Sequence, residues 1–261
     1  MSRPIEIART APDRGTPLSV DSFDGVRIHY DWYGAGSRGA VLVIPGFWRD
    51  RGYPSMPRFA ALLNQAGFSA AIVDVRGHGD SEGTYGFNLH EHYDVAAVAG
   101  DLEERAMAET ITLAGFSVGG AIAISTAARD RLPLSSLLLI SPVADFRHIV
   151  PRINPLMIHR HIAFSQALRR PRFDWRFGRS PKLRGVDDIA AVKVPVSMIH
   201  VKNDWLVDHD HSIRLFEHAN EPKELHIIDI PGNYHADRIF SQAGEHIEPL
   251  VIDFLARFTP R

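Results

Sequence analysis

Apolar runs that suit buried strands alternate with amphipathic segments along most of this chain. The strand-like runs occupy residues 40–45, 68–75, 110–115, 135–141, 195–201 and 224–230. The helix-like segments occupy residues 55–66, 89–109, 118–130, 211–219 and 241–258. Strands that are apolar on both sides and separated by helices favour a parallel sheet with helices on both faces. The sequence therefore predicts an α/β fold with a mostly parallel central sheet.

Two earlier runs have a different pattern. Residues 18–23 and 26–33 are rich in alternating apolar and polar side chains, and Asp24-Gly25 joins them. An Asp-Gly dipeptide between alternating runs is a strong signal for a hairpin. We therefore expect an N-terminal antiparallel hairpin at one edge of the sheet.

Residues 145–184 interrupt the alternation of strands and helices. Nine arginines and Lys182 in this stretch are balanced only by Asp145 and Asp174, which gives a net charge of +8. The whole chain has 261 residues, close to the upper limit for one hydrophobic core. We predict one domain spanning residues 1–261, with residues 145–184 as a cap insertion over the sheet.

Composition excludes several classes of protein. The chain has no cysteine, which excludes disulfides, thiolate metal sites and a cysteine nucleophile. Its net charge of −2 indicates no nucleic-acid partner. No apolar run approaches the roughly 18 residues of a membrane span, and the N-terminus lacks the apolar part of a signal peptide. We expect a cytoplasmic protein without a transmembrane segment, and the sequence indicates no particular oligomeric state.

Residues 115–119, GFSVG, match the pattern G-x-S-x-G between a predicted strand and a predicted helix. A nucleophile elbow occurs in this setting. Its sharp turn strains the serine backbone and leaves no room for side chains on the flanking glycines. Ser117 would then project above the sheet, with the amide of Val118 free at the helix N-terminus. The alternative is a glycine-rich helix start that Ser117 merely caps.

Two turn-rich loops follow predicted strands 195–201 and 224–230. The first loop contains Asp204 and Asp208, and the second contains His235. A serine hydroxyl needs a base to take its proton and an acid to orient that base. Functional loops of an open α/β sheet lie at the carboxyl ends of its strands. We therefore predict His235 as the base and Asp204 as the acid, with Asp208 as a competing acid or a helix cap.

With Ser117, Asp204 and His235 in this order, the chain resembles the α/β-hydrolase fold superfamily over nearly its whole length. Residues 74–83, DVRGHGDSEG, are similar to a segment that follows the fourth strand in many members. Among these members are the serine aminopeptidase-like and monoglyceride lipase-like hydrolases. The resemblance implies that His78 shapes a turn in this segment and has no catalytic role.

The resemblance also implies an oxyanion hole formed by the backbone amides of Phe47 and Val118. Relatives commonly have His-Gly just before the first donor, where this chain has Pro45-Gly46. In the implied mechanism the serine attacks an acyl carbonyl, the histidine transfers the proton, and water later releases the acid. This chemistry needs neither an organic cofactor nor a metal, and the sequence signals neither.

The activity implied is cleavage of carboxylic esters or thioesters, as in carboxylesterases, thioesterases and lysophospholipases. We predict substrate contacts at Trp48, Phe116, Met157 and Ile158, although the cap residues could instead pack the insertion onto the body.

Basic side chains in the insertion favour an anionic acyl substrate or an anionic membrane surface, unless acids elsewhere balance them. These side chains are Arg169, Arg170, Arg172, Arg176 and Arg179.

Two other functions stay open at this point. An acyltransferase would use the same three side chains with an alcohol or amine in place of water. A ligand-binding protein would retain the fold without turnover. An aminopeptidase is disfavoured, because it needs an acidic site for a free amine and the insertion is basic.

Overall fold

The computed structural model describes residues 15–34, 38–129, 132–145, 171–174 and 185–259. Within this part of the chain, eight strands form one sheet in the order β1-β2-β4-β3-β5-β6-β7-β8. The strands are β1 Thr16–Asp21, β2 Arg27–Tyr33, β3 Arg38–Ile44, β4 Phe68–Asp74, β5 Ile111–Phe116, β6 Leu134–Ile140, β7 Val196–Val201 and β8 Lys223–Ile228. Their bounds lie within two residues of the predicted ones, and the predicted α/β fold is confirmed.

Strand β1 pairs antiparallel with β2, and β2 pairs antiparallel with β4, whereas the remaining neighbours are parallel. The predicted hairpin is therefore present, and Gly25 takes a left-handed φ of 79° at its turn. Since β3 lies between β4 and β5, the chain reverses direction across the sheet at β3. Such a switch point is where ligands bind in open α/β sheets.

Helices cover both faces of the sheet in the described residues. Their bounds are α1 Ser55–Gln65, α2 Glu91–Glu104, α3 Val118–Arg129, α4 Gly185–Ile189, α5 Asp210–His218 and α6 Arg238–Phe258. Apolar side chains of α1 and α6 pack together on one face, and those of α2, α3 and α5 pack on the other. None of these helices is long and apolar enough to cross a membrane.

Three helices differ from the prediction, and the first of them, α6, begins at Arg238 and not at residue 241. The helix predicted over residues 89–109 ends at Glu104, because Ala106 takes a left-handed φ of 52°. The amides of Ala106 and Met107 then donate to the carbonyls of Glu103 and Leu102 at 2.9 Å each, which is a Schellman end usually marked by glycine. The short helix α4 was not predicted, since its five residues carry no readable periodicity.

Most of the proposed cap insertion, residues 146–170 and 175–184, lies outside the described residues. Met157 and Ile158 fall in this range. Residues 171–174 are described, and their backbone pairs with the loop that follows β4 through a bridge between Tyr85 and Phe173.

Candidate active site

The turn between β5 and α3 places the Ser117 side chain at the carboxyl edge of the sheet. Ser117 has a φ of 54°, a strained conformation for a residue with a side chain. A Cβ on Gly115 would lie 2.5 Å from the carbonyl oxygen of Gly119, and one on Gly119 would collide with the Ile44 carbonyl oxygen. Only glycine fits at either position, and the Ser117 amide also donates to the Ile140 carbonyl at 2.9 Å, so backbone contacts fix this turn.

Three side chains predicted from the sequence meet at this edge. The Ser117 hydroxyl lies 2.8 Å from Nε2 of His235, and Nδ1 of His235 lies 2.7 Å from Oδ2 of Asp204. All three residues are buried. Because the carboxylate only accepts, Nδ1–H must donate to it, which leaves Nε2 as an acceptor for the hydroxyl proton. This geometry would let the histidine act as a base toward the serine hydroxyl.

Asp204 is held in place by several donors. Its Oδ1 accepts the amides of Leu206 and Val207 at 2.9 and 3.0 Å. Its Oδ2 also lies 3.5 Å from Nε2 of His200. Burial raises the pKa of the Asp204 carboxyl, but the charge of His235 and hydrogen bonds from His200 and His235 outweigh burial and hold it well below its usual range.

The competing acid, Asp208, lies at the start of α5. Its carboxylate accepts the amide of Asp210 at 3.0 Å, so it shapes the beginning of that helix. The partner of the His235 ring is Asp204. The structure therefore favours the first of the two acids considered from the sequence.

The loop after β3 passes directly over the serine. The amide of Arg49 donates to the carbonyl of Gly46 at 3.1 Å, and Trp48 has a φ of 64°. A Cβ on Gly46 would lie 3.4 Å from the Ser117 Cβ. Within the described residues, the amides of Phe47 and Val118 find no acceptor. These two amides therefore stay candidates for the oxyanion hole that the sequence predicts.

Two arginines that lie in no recognisable motif, and were therefore not predicted from the sequence, support this loop. Arg49 is buried and pairs with Asp237 at 3.4 Å, while the Ser55 hydroxyl donates to the same carboxylate at 2.8 Å. Since Asp237 lies two residues after His235, this contact joins the loop to the base. Arg51 pairs with Asp31 at 2.8 Å and also with Asp74 and Asp80.

The segment 74–83 carries structural contacts around its turns. The Ser81 hydroxyl donates to the Asp74 carbonyl at 2.5 Å and accepts the amide of His29 at 2.8 Å. His78 is buried, and its ring lies 4.6 Å from that of Tyr85 and 6.1 Å from that of Phe47. Burial lowers the pKa of His78 to about 4, so its imidazole is neutral at pH 7.

The four predicted substrate contacts do not lie together. Trp48 is half-buried beside the proposed oxyanion donors. Phe116 is only 1% exposed and packs against Phe59 and Phe240 in the core beneath the sheet edge, so a substrate would not reach its ring. Another aromatic residue, Trp205, was not predicted, although its ring centroid lies 6.3 Å from that of His235.

Residues 35–184 match the family model described as serine aminopeptidase, S33. The chain is 23% identical over 206 residues to lysophosphatidylserine lipase ABHD12 of Danio rerio, covering 75% of this chain and 52% of the relative. It is 25% identical over 200 residues to YfhR of Escherichia coli K12, an uncharacterized protein, covering 74% and 62%. The chain therefore spans between half and two thirds of these curated relatives.

Solved structures share the whole fold. The esterase Pf2001 of Pyrococcus furiosus has a TM-score of 0.75 at 21% identity, covering 95% of this chain and 91% of that chain. The α/β hydrolase GrgF from Penicillium sp. sh18 has a TM-score of 0.77 at 18% identity, covering 94% and 99%. Together with the family match over more than half of its length, these likenesses place the chain in the serine aminopeptidase S33 family of the α/β-hydrolase superfamily.

Proposed function

We propose that this protein is a serine hydrolase that cleaves carboxylic esters or thioesters through an acyl-enzyme on Ser117. The observation that carries the proposal is the pair of contacts from the His235 ring, 2.8 Å to the serine Oγ and 2.7 Å to the Asp204 carboxylate. Membership of a hydrolase family and the esterases among the solved structures of the same fold support it.

In the first half-reaction, Nε2 of His235 takes the Ser117 proton as Oγ bonds to the acyl carbon. The carbonyl electron pair moves onto oxygen, where the amides of Phe47 and Val118 stabilise it. Such a donor contributes roughly 3–4 kcal/mol in comparable enzymes. Asp204 holds the Nδ1–H tautomer and stabilises the imidazolium. When the tetrahedral intermediate collapses, Nε2–H protonates the leaving alcohol or thiol.

In the second half-reaction, water replaces the departed alcohol or thiol. His235 takes one proton of the water as its oxygen bonds to the acyl carbon, and the same amides hold the second oxyanion. Breaking the Oγ–acyl bond returns the proton to Ser117 and releases the carboxylic acid. Every proton taken is given back, so the cycle needs no cofactor.

Labelling by an alkyl fluorophosphonate tests the nucleophile, because the reagent bonds to an activated serine. We expect labelling and turnover of p-nitrophenyl acetate by the native protein. Both should fall at least about a thousandfold in Ser117→Ala. The matched control is Ser136→Ala, which removes another buried serine hydroxyl near the far end of β6. Folded native protein that is never labelled would favour a ligand-binding role instead.

Product analysis separates hydrolysis from acyl transfer. Turnover of an ester in the presence of an alcohol or amine should yield mostly free acid if water is the acceptor. Dominant formation of a new ester or amide would identify an acyltransferase with the same three side chains. The proposed absence of a cofactor and the cytoplasmic location stay predictions of the sequence.

The preference for an anionic substrate, which the sequence predicts, stays a proposal. Arg172 donates through Nε to the Gly83 carbonyl at 3.1 Å and through Nη2 to the Ser81 carbonyl. It is nevertheless exposed, and these neutral acceptors leave its positive charge in place. The other four arginines lie outside the described residues. Salt should slow turnover of an anionic acyl ester more than that of a neutral p-nitrophenyl ester. Equal salt effects would remove this preference.

A further inference from the structure

Four aromatic rings cluster beside the proposed oxyanion donors. The Phe47 ring centroid lies 5.2 Å from that of Trp48, 5.3 Å from that of Phe87 and 5.8 Å from that of Phe173. The Phe87 and Phe173 rings are stacked at 6.1 Å, with 13° between their planes. We name these four rings the aromatic wall. None of them is fully buried, and Phe173 is 40% exposed.

Two members of the wall stand on strained backbone. Trp48 has a φ of 64° and Phe87 a φ of 54°, and bulky side chains rarely adopt such angles. Strain of this kind persists only when surrounding contacts enforce it, and it concentrates at ligand-binding and active sites. Two strained aromatic residues in one cluster beside the nucleophile therefore indicate a ligand-binding surface.

Buried neighbours keep the base of the wall rigid. Tyr85 is fully buried, and its ring lies 5.7 Å from that of Phe47 and 4.9 Å from that of Phe87. Asn88, next in the chain, donates to the Ser125 hydroxyl at 2.6 Å. Substrates would thus meet a preorganised surface at the wall.

The fourth ring comes from the insertion and is fixed through its backbone. The amide of Arg172 donates to the Gly77 carbonyl at 2.9 Å, and its carbonyl accepts the amide of Tyr85 at 2.6 Å. A Cβ on Gly77 would lie 2.6 Å from that same carbonyl oxygen. The segment 74–83, whose sequence implied only a turn, therefore holds the insertion residue Phe173 against the wall.

We propose that the aromatic wall binds an aromatic or similarly flat apolar group of the substrate, and that Phe173 sets this preference. The inference rests on the proposed function, because the Phe47 amide is one of the two donors to the carbonyl oxygen. A substituent near the acyl carbon therefore meets the Phe47 and Trp48 rings. Aromatic faces and edges attract one another beyond simple burial of area, so a phenyl group gains more here than a methyl group.

The test compares phenylalkyl and methyl probes on the native protein and on Phe173→Ala. For fluorophosphonate labelling and for p-nitrophenyl ester turnover, we expect the native protein to prefer the phenyl-bearing probe about tenfold or more. Phe173→Ala should reduce that preference at least about fivefold, chiefly through KM, because the phenyl probe loses more than the methyl probe does. Phe173→Leu should retain the apolar contact but lose part of the aromatic preference.

Phe23→Ala is the matched control, because Phe23 is another exposed phenylalanine, at 59%, that does not belong to the wall. This change should leave both probes unchanged. Equal labelling by both probes in the native protein, or an equal loss of both in Phe173→Ala, would overturn the inference. If neither probe labels folded protein, the proposed function fails instead, so the two failures are distinguishable.

Discussion

The turn at Ser117 and the loop after β3 contact each other at the candidate site, yet different forces hold them. Each contains a strained residue, Ser117 at a φ of 54° and Trp48 at 64°. The turn is fixed by backbone atoms packed against Gly115 and Gly119. The loop is fixed by Arg49, which binds a carboxylate 188 positions along the chain. Backbone packing leaves a local motif in the sequence, whereas a long-range ion pair does not.

The difference predicts how each region fails. The packing around Gly115 and Gly119 tolerates no side chain, because even a single added carbon collides with closely packed backbone atoms. The ion pair of Arg49 and Asp237 both stabilises the fold and positions the loop. A buried pair is costly to break, and it also fixes the orientation of the groups that it joins. Substitutions can separate these two effects in the loop but not in the turn.

The largest effect should come from Gly119→Ala. The new Cβ would collide with the carbonyl oxygens of Ile44 and Pro45, so β3 and α3 must separate. We expect a loss of more than about 4 kcal/mol in the free energy of unfolding, or no soluble protein. Gly100→Ala is the matched control, because a Cβ there meets no atom within 4 Å and helix α2 gains about 0.5–1 kcal/mol. Urea unfolding of both variants makes the comparison, and a stable Gly119→Ala would contradict it.

Arg49→Met should be the next most damaging change. It leaves Asp237 buried without its charge partner, which costs about 3–5 kcal/mol of stability. The double variant Arg49→Met/Asp237→Leu should recover most of that stability. Its kcat should nevertheless stay about tenfold to a hundredfold low, since an apolar pair no longer fixes the Phe47 amide relative to His235.

The control for the buried pair is Arg27→Met at the exposed contact with Asp21, which should change neither stability nor turnover. A transition-state analogue such as a boronic acid gives the readout for position. Its affinity should fall with kcat in the double variant, while KM changes little. Full turnover by the double variant would show that the ion pair stabilises the fold but does not position the Phe47 amide.

Low pH should destabilise the region of the loop after β3 through His78, whose ring packs against Phe47. Burial lowers its pKa from 6.5 to about 4, so the unfolded chain binds its proton first as the pH falls. The contribution of neutral, buried His78 to the free energy of unfolding is therefore fully present above pH 6.5. It declines as the pH falls toward 4, by up to about 3 kcal/mol. Between pH 6.5 and 4, the free energy of unfolding of His78→Phe should fall less steeply than that of the native protein. The difference in slope should be about 1.4 kcal/mol per pH unit. Parallel pH profiles of the two proteins would show that His78 is accessible to protons when folded.

The same contrast explains what the sequence predicted. Ser117, Asp204 and His235 were readable because each follows a recognisable strand, and parallel strands bring their ends to one edge. The burial of the Phe116 ring could not be predicted, because flanking the serine in sequence says nothing about which side of the sheet a ring faces. Arg49 and Asp237 were missed because their meeting depends on the packing of distant loops.

The smallest effect measures what a left-handed backbone costs where no function requires it. Ala106 ends helix α2 at a φ of 52°, far from the site, and glycine adopts that angle without a steric penalty. Ala106→Gly should stabilise the protein by about 1 kcal/mol, the strain relieved less the added freedom of the unfolded chain. Thermal unfolding measures the gain. Adding back the freedom of the unfolded chain gives the strain itself, which estimates the strain at Trp48, because the backbone angle there is similar. If the arginine holds the loop, this strain must be smaller than the stability lost in Arg49→Met. A gain larger than that loss would mean that contacts other than the ion pair keep Trp48 in place.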